Sequence, residues 1–197
     1  MTTRALHLAA PERVELDELT LARAKRGDRA AFGQLVRYYE RPVLSLISRM
    51  LLATDRRDLV EDLAQETFVR AMKAIAEFGD DGRHRLSSWL LTIATRVALD
   101  ALKRRKVPMD SLSELADIVP AAQRADEALH RRTLRDALSA AIAQLPVSYR
   151  AVFLLREVHG FEYDAIATAL EVDLGTVKSR LSRARNALRA ALGEVYP

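Results

Sequence analysis

The sequence predicts an all-α protein built from two small helical domains that a flexible linker joins. Ala, Leu and Arg are abundant, whereas 197 residues contain only seven Gly and six Pro, and this composition favours helix over sheet. Apolar residues recur at helical spacing on both sides of a segment with Pro108, Pro120 and little periodicity. We therefore divide the chain into an N-terminal tail (1–20), a first domain (21–106), a linker (107–127) and a second domain (128–197).

Composition also narrows the class of function. With no Cys, neither a disulfide framework nor a thiolate metal site is expected. The chain has no apolar run of 18 residues and no apolar N-terminal run long enough for a signal peptide, so we expect a cytoplasmic protein without membrane insertion. The four His are scattered and the known catalytic and phosphate-binding motifs are missing, so we expect no enzyme activity, cofactor or metal.

The net charge of +4 hides a segregated pattern. Residues 55–66 carry five acids against two Arg, and residues 96–106 carry five bases against Asp100. Segregated charge indicates two kinds of partner surface.

The first domain is expected to begin with helical sequence from Leu21 to Ala53, after a loosely ordered tail. Asp28 is a plausible N-cap. Pro42 suits the first turn of a separate helix, Val43 to Leu52, because that position needs no backbone N–H.

The next segment, 58–75, predicts an amphipathic helix whose apolar stripe faces the core. Its other face is predicted to be a protein-docking site, since a small apolar centre rimmed by charge is typical of such contacts. That face consists of Asp62, Gln65, Glu66, Val69 and Lys73, and the first four are the predicted docking residues. A merely solvated helix face explains the same pattern equally well.

Residues 85–106 predict a helix with a core stripe and, on another side, Trp89, Arg96 and Lys103. Stacking on Trp89 and backbone attraction to the two bases would hold unpaired DNA. The alternative is that Trp89 is a half-buried packing residue. The preceding loop, 79–85, would enclose a flipped base with Arg83, His84 and Arg85 near the phosphates.

The second domain is expected to contain a helix ending at Pro146, another ending at Gly160, and then a helix-turn-helix. A short helix from Tyr163 to Leu170 precedes a second helix from about Leu174. One stripe of that second helix is apolar, and the rest offers cations and short polar groups at a spacing that suits a major groove. We predict DNA contacts from Thr176, Lys178, Ser179, Arg180, Arg183, Arg185 and Asn186.

Within this set, Ser179 and Arg183 lie at the helix centre, where they would read base edges. Arg150, at the start of the preceding helix, is predicted to add a phosphate contact. A basic but only solvated helix face is the alternative.

Three segments, in this order, resemble the extracytoplasmic-function (group IV) sigma factors of bacterial RNA polymerase, which belong to the sigma-70 family. DLAQETFVRA is similar to region 2.2, SSWLLTIATRVALDALKRRK to regions 2.3 and 2.4, and the segment from Leu145 to Arg185 to region 4.

The resemblance implies that the face with Asp62, Gln65 and Glu66 binds core RNA polymerase. The second domain would then dock double-stranded DNA at the −35 element, and the first would melt and capture the −10 element. An anti-sigma factor would hold the protein inactive.

Four positions depart from the pattern of that family. Glu171 stands at a turn position where Gly is frequent, and Arg96 stands where an Asn often reads a −10 base. Leu86 replaces a frequent aromatic residue, and Met72 stands where Trp is common. The resemblance therefore leaves the base preference at Arg96 undefined.

Two other functions remain alternatives. An autonomous helix-turn-helix regulator would normally be a symmetric dimer, and no dimerisation heptad is evident in the sequence. A helical adaptor without a DNA role would not need the segregated basic helices.

Overall fold

The computed structural model describes residues 15–52, 54, 56–79, 85–104 and 127–193, with side chains from 134 onward in the last range. These residues form helices and contain no strand, so the predicted fold class is confirmed. The first half contains α1 (Glu18–Lys25), α2 (Arg29–Met50), α3 (Val60–Ala74) and α4 (Leu86–Lys103). The second contains α5 (Glu127–Gln144), α6 (Val147–Phe153), α7 (Tyr163–Leu170) and α8 (Leu174–Gly193).

The predicted linker lies almost entirely outside the described residues, and the domain boundaries stay a prediction. Within the described ranges, none of the helices combines the length and apolar character that crossing a bilayer requires.

Helix α2 forms the centre of the first half, with α3 and α4 packed on it. Its inward face is fully buried at Leu35, Val43 and Leu46. Asp28 is the N-cap, as predicted, and its Oδ1 accepts hydrogen bonds from the backbone N–H groups of Ala30 (2.9 Å) and Ala31 (3.1 Å).

The prediction of a separate helix beginning at Pro42 is wrong. Pro42 lies inside α2, which continues unbroken to Met50. Proline removes one N–H from the helical ladder at this point. The apolar stripe on either side of it is continuous and buried, so tertiary packing outweighs the local preference for a break.

The prediction of a loosely ordered tail is wrong for residues 15–20. Helix α1 begins at Glu18, and Asp17 caps it by accepting from the N–H of Thr20 at 2.8 Å. The Glu15 carboxylate accepts from the Ser87 hydroxyl (2.5 Å) and from the Tyr39 hydroxyl (2.8 Å). Glu15 therefore joins the start of α4 to the middle of α2.

The hydrophobic core continues from the first half into the second, where α6 and α7 pack against α8. Leu154, Leu155, Ile166 and Leu181 are at most 2% exposed. Helix α6 continues through one π-helical turn, Leu154–Val158, and the chain then reverses at Gly160, where φ is +61°. The helix-turn-helix boundaries agree with the prediction.

The two halves are in direct contact, α4 with α7 and α2 with α5 and α6. Helical periodicity predicts which face of each helix is buried, but it does not predict these contacts between the two halves.

Candidate nucleic-acid and protein-binding surfaces

Helix α8 presents its predicted polar face to solvent. Lys178, Ser179, Arg183, Arg185 and Asn186 are exposed, and Thr176 and Arg180 are half-buried. The opposite stripe is buried from Val177 to Leu188, as the spacing predicts. The face is therefore available for a major groove, which admits one helix with its side chains directed at the base edges.

The start of α8 is fixed by Asp173. Its carboxylate accepts from the Thr176 hydroxyl (2.6 Å) and from the Thr176 N–H (2.7 Å), and these two bonds lower the pKa of Asp173. Thr176 thus positions the helix, and its hydroxyl is engaged within the protein.

Two groups from the α6 region orient arginines of the polar face. Arg183 Nη1 donates to the Tyr149 hydroxyl at 3.1 Å, and Arg185 Nε donates to the Glu157 carboxylate at 3.0 Å. The Glu157 bond partly neutralises Arg185, whereas Arg183 keeps its full charge. The sequence does not predict that Tyr149 and Glu157 contact these arginines, because they lie 34 and 28 residues from their partners along the chain.

A cationic depression lies between α7 and α8. Its volume is about 250 Å³, and its lining includes Tyr163, Ser182 and Arg189 in addition to the predicted Lys178 and Arg185. The Arg156 guanidinium lies 4.8 Å from the centre of the Tyr163 ring, which adds a further cation beside the depression. A phosphate would meet several positive groups here.

Arg150, predicted to contact phosphate, is a buried residue in this structure, with only 4% of its surface exposed, so its side chain is not presented to DNA here. Five carbonyl oxygens accept its N–H groups. They belong to Met50 (2.8 Å) and Leu52 (2.5 Å) in the first half, and to Ile142 (3.0 Å), Ala143 and Leu145 (2.9 Å) in the second. Burial lowers the pKa of Arg150 to about 10.

The outward face of α3 has the composition of a docking site. Asp62 and Gln65 are exposed, and Val69 is 46% exposed beside Met72 at 53%. Glu66 pairs with Arg70 at 2.5 Å. A small apolar centre is thus bordered by acid and amide groups and by the exposed Lys73, and Met72 belongs to it although the sequence did not single it out for docking.

The described residues that were predicted to bind unpaired DNA lie on α4 or at its start. Arg85 and Lys103 are exposed, whereas Trp89 is half-buried with its ring 5.2 Å from that of Phe78. That contact favours the packing alternative for Trp89. Arg83 and His84 lie outside the described residues.

Arg96, also on α4, does not extend freely into solvent. Its guanidinium donates to the carbonyl oxygens of Thr168 (2.9 Å) and Ala169 (3.1 Å) and lies 3.2 Å from the Glu171 carboxylate.

Comparison with known proteins shows the family of this chain. Residues 35–107 match the model of sigma-70 region 2, and residues 135–188 match that of sigma-70 region 4. The chain is 36% identical over 187 residues to the RNA polymerase sigma-H factor of Pseudomonas aeruginosa, covering 90% of this chain and 94% of that one. It is 30% identical to the ECF RNA polymerase sigma factor SigW of Bacillus subtilis, with 89% and 96% covered.

A solved structure is also similar. The sigma factor RpoE of Bartonella quintana, in complex with the anti-sigma factor NepR, aligns with a TM-score of 0.56 and 26% identity, covering 82% of this chain and 96% of that one.

The described helices, a basic helix-turn-helix among them, and the two family matches together define a transcription initiation factor. The chain belongs to the extracytoplasmic-function sigma factors of the sigma-70 family. It therefore acts with RNA polymerase in promoter-directed initiation.

Proposed function

We propose that α8 of this protein binds the −35 element, that α4 binds the melted −10 element, and that the outward face of α3 binds core RNA polymerase. The exposed Ser179 and Arg183, opposite a buried apolar stripe, carry the first assignment. An outward Arg fork is the commonest side chain for reading guanine.

The charge of each surface suits its assigned partner. The α8 face and the adjacent depression are cationic, so they attract the phosphate backbone without sequence preference. On the α3 face the carboxylates of Asp62 and Glu66 lie on the N-terminal side of the exposed Val69 and Met72, which suits a partner surface with basic groups beside an apolar pocket.

We propose that the protein itself catalyses no reaction, since each surface is suited to binding and the polymerase supplies the chemistry. It would act in the cytoplasm, where polymerase and promoter DNA are found. An anti-sigma factor would control it, a proposal that rests on the likeness to RpoE solved with NepR.

Run-off transcription with purified core polymerase and a library of promoter fragments tests this function. We expect transcripts from a small set of fragments, and only when the protein and polymerase are both present. Tight, specific binding to fragments without polymerase, and no stimulated transcription, would favour an autonomous regulator instead.

A further inference from the structure

The strongest unassigned feature is the contact between Arg96 and the end of α7. Helix α7 has no basic residue of its own in its last turn. Arg96 of the first half supplies one, with hydrogen bonds of 2.9 and 3.1 Å to the carbonyl oxygens of Thr168 and Ala169. Carbonyls at a helix C-terminus lack intrahelical partners and carry partial negative charge, so a cation is favourable there.

The residue that ends α7 adds an ion pair to the same contact. Glu171 has φ +56°, and among the described residues no other non-glycine has a positive φ. Glycine would adopt this conformation without the strain that a Cβ introduces. Glycine would lack the carboxylate of Glu171, which lies 3.2 Å from Arg96 Nη2. The residue with the strained backbone is therefore the one that contacts the other half of the molecule.

Arg150 makes the reciprocal contact. It belongs to the second half, and it donates to the carbonyls of Met50 and Leu52 at the C-terminal end of α2 in the first half. The two contacts differ in accessibility, because the Arg96 side chain is 44% exposed whereas Arg150 is 4% exposed. Arg150 also retains three carbonyl partners in its own half if the halves separate.

This closed arrangement is incompatible with simultaneous binding of two promoter elements. The −35 and −10 elements are about 25 base pairs apart, which is roughly 85 Å at 3.4 Å per base pair. Here α4 is hydrogen-bonded to α7, which packs against α8, so the two DNA-binding helices α4 and α8 must separate before both are used. This requirement for separation rests on the proposed function.

We propose that Arg96 and Glu171 form an interdomain latch that, together with the Arg150 contact and the shared core, holds the free protein closed and withholds Arg96 from DNA. Core polymerase opens the latch by holding the two halves apart. Arg96 thus has one partner in each state, the end of α7 in the closed protein and the melted −10 strand in the open one.

Energy transfer between two fluorophores tests the closed state directly on the free protein. The chain has no Cys, so Arg37→Cys on α2 and Ala190→Cys on α8, both exposed, provide two labelling sites. Glu171→Lys and Arg96→Ala should lower the transfer efficiency and raise the ratio of open to closed molecules about two- to fivefold, the range expected for loss of an exposed ion pair. Raised salt should open the unaltered protein as well.

Glu162→Lys is the matched control. Glu162 is 80% exposed and pairs with Arg156 at 3.1 Å within the same half, so the substitution makes the same charge change without touching α4. The transfer efficiency of this variant should equal that of the unaltered protein. Equal efficiency in Glu171→Lys, Arg96→Ala and Glu162→Lys would overturn the latch.

Glu171→Gly distinguishes the effect of losing the ion pair from the effect of relieving backbone strain. It should raise the melting temperature, because φ is positive, and lower the transfer efficiency, because the carboxylate is lost. It should also bind a labelled mixed-sequence single-stranded DNA about two- to fivefold more tightly, and Arg96→Ala in the same chain should cancel that gain. If the melting temperature rises while the transfer efficiency and the DNA affinity stay unchanged, Glu171 contributes only backbone strain and the proposal is refuted.

Failure of the latch and failure of the proposed function give different results. The transfer measurement uses neither polymerase nor promoter, and run-off transcription does not depend on the closed state. Promoter-specific transcription with no change in transfer would overturn the latch only. Lower transfer in the variants without any promoter-specific transcription would overturn the proposed function and retain the interdomain contact.

Discussion

At the scale of single residues, two arginines 33 positions apart have opposite roles. Arg183 extends from α8 into solvent, and only the Tyr149 hydroxyl is bonded to it among its described neighbours. Arg150 is enclosed by five carbonyl oxygens. Both are basic residues on predicted helices, so charge alone does not distinguish a DNA contact from a structural one.

Arg183→Ala should reduce discrimination among −35 sequences by about 1–3 kcal/mol, the cost of losing a bidentate base contact. Competition between promoter fragments for the polymerase complex measures this. Tyr149→Phe is the control, since it removes the intramolecular hydrogen bond and keeps the guanidinium. Promoter selectivity that Arg183→Ala leaves unchanged would remove Arg183 from the base-reading residues.

At the scale of elements, aspartates fix the starts of three helices. Asp17, Asp28 and Asp173 each accept backbone N–H groups at the first turn of α1, α2 and α8. Hydrogen bonds to the ionised form lower the pKa of all three, chiefly from the Thr20 N–H for Asp17, the Ala31 N–H for Asp28 and the Thr176 hydroxyl for Asp173.

These caps predict a loss of stability in acid. A carboxylate whose pKa is lower in the folded state stabilises the fold above its unfolded pKa, near 3.9, and that stabilisation disappears as the pH falls through its folded pKa. The melting temperature should therefore fall between pH 5 and pH 3. Asn caps helices as well as Asp but does not titrate here, so a variant with Asp17→Asn, Asp28→Asn and Asp173→Asn should lose less over this interval. An identical loss in both proteins would contradict the assignment.

The face of α3 gives a second prediction at this scale. Reversing Asp62 and Glu66 to Lys should weaken binding to core polymerase and leave the melting temperature nearly unchanged, because both side chains lie outside the core. Co-purification with core polymerase and thermal melting measure the two effects. Reversing Glu18 and Glu40, exposed acids on α1 and α2, is the control. Equal recovery of polymerase with both variants would exclude α3 as the docking helix.

At the scale of the whole molecule, Arg150 joins elements that are far apart in the chain. Its carbonyl partners lie up to 100 residues away, at the ends of α2 and α5. A buried guanidinium is stable only where its donors are all satisfied, so its position specifies how these helix ends meet.

Arg150→Ala should lower the free energy of unfolding by on the order of 3 kcal/mol, because buried carbonyls lose their donors. Urea denaturation measures this. Arg150→Lys keeps the charge with fewer donors and should give an intermediate value. Arg189→Ala, an exposed arginine on α8, should change stability by less than about 0.5 kcal/mol. Native stability combined with weakened DNA binding in Arg150→Ala would restore the phosphate contact predicted from the sequence.

The sequence by itself determined the helical class, the boundaries of α7 and the start of α8, the buried stripe of α8 and the family. These features follow from periodicity, capping and motif order, which are local along the chain. Pro42 gave a wrong prediction of a helix boundary, because the buried apolar stripe on both sides of it keeps α2 continuous.

Only the tertiary structure decided which charged groups are exposed and which are enclosed. The burial of Arg150, the bond between Arg183 and Tyr149, and the contact of Arg96 with Glu171 all join residues from different helices. A side chain's solvation depends on what lies beside it in space. The residues that surround a side chain are determined by how the helices pack against each other, and the spacing of residues within one helix does not predict them.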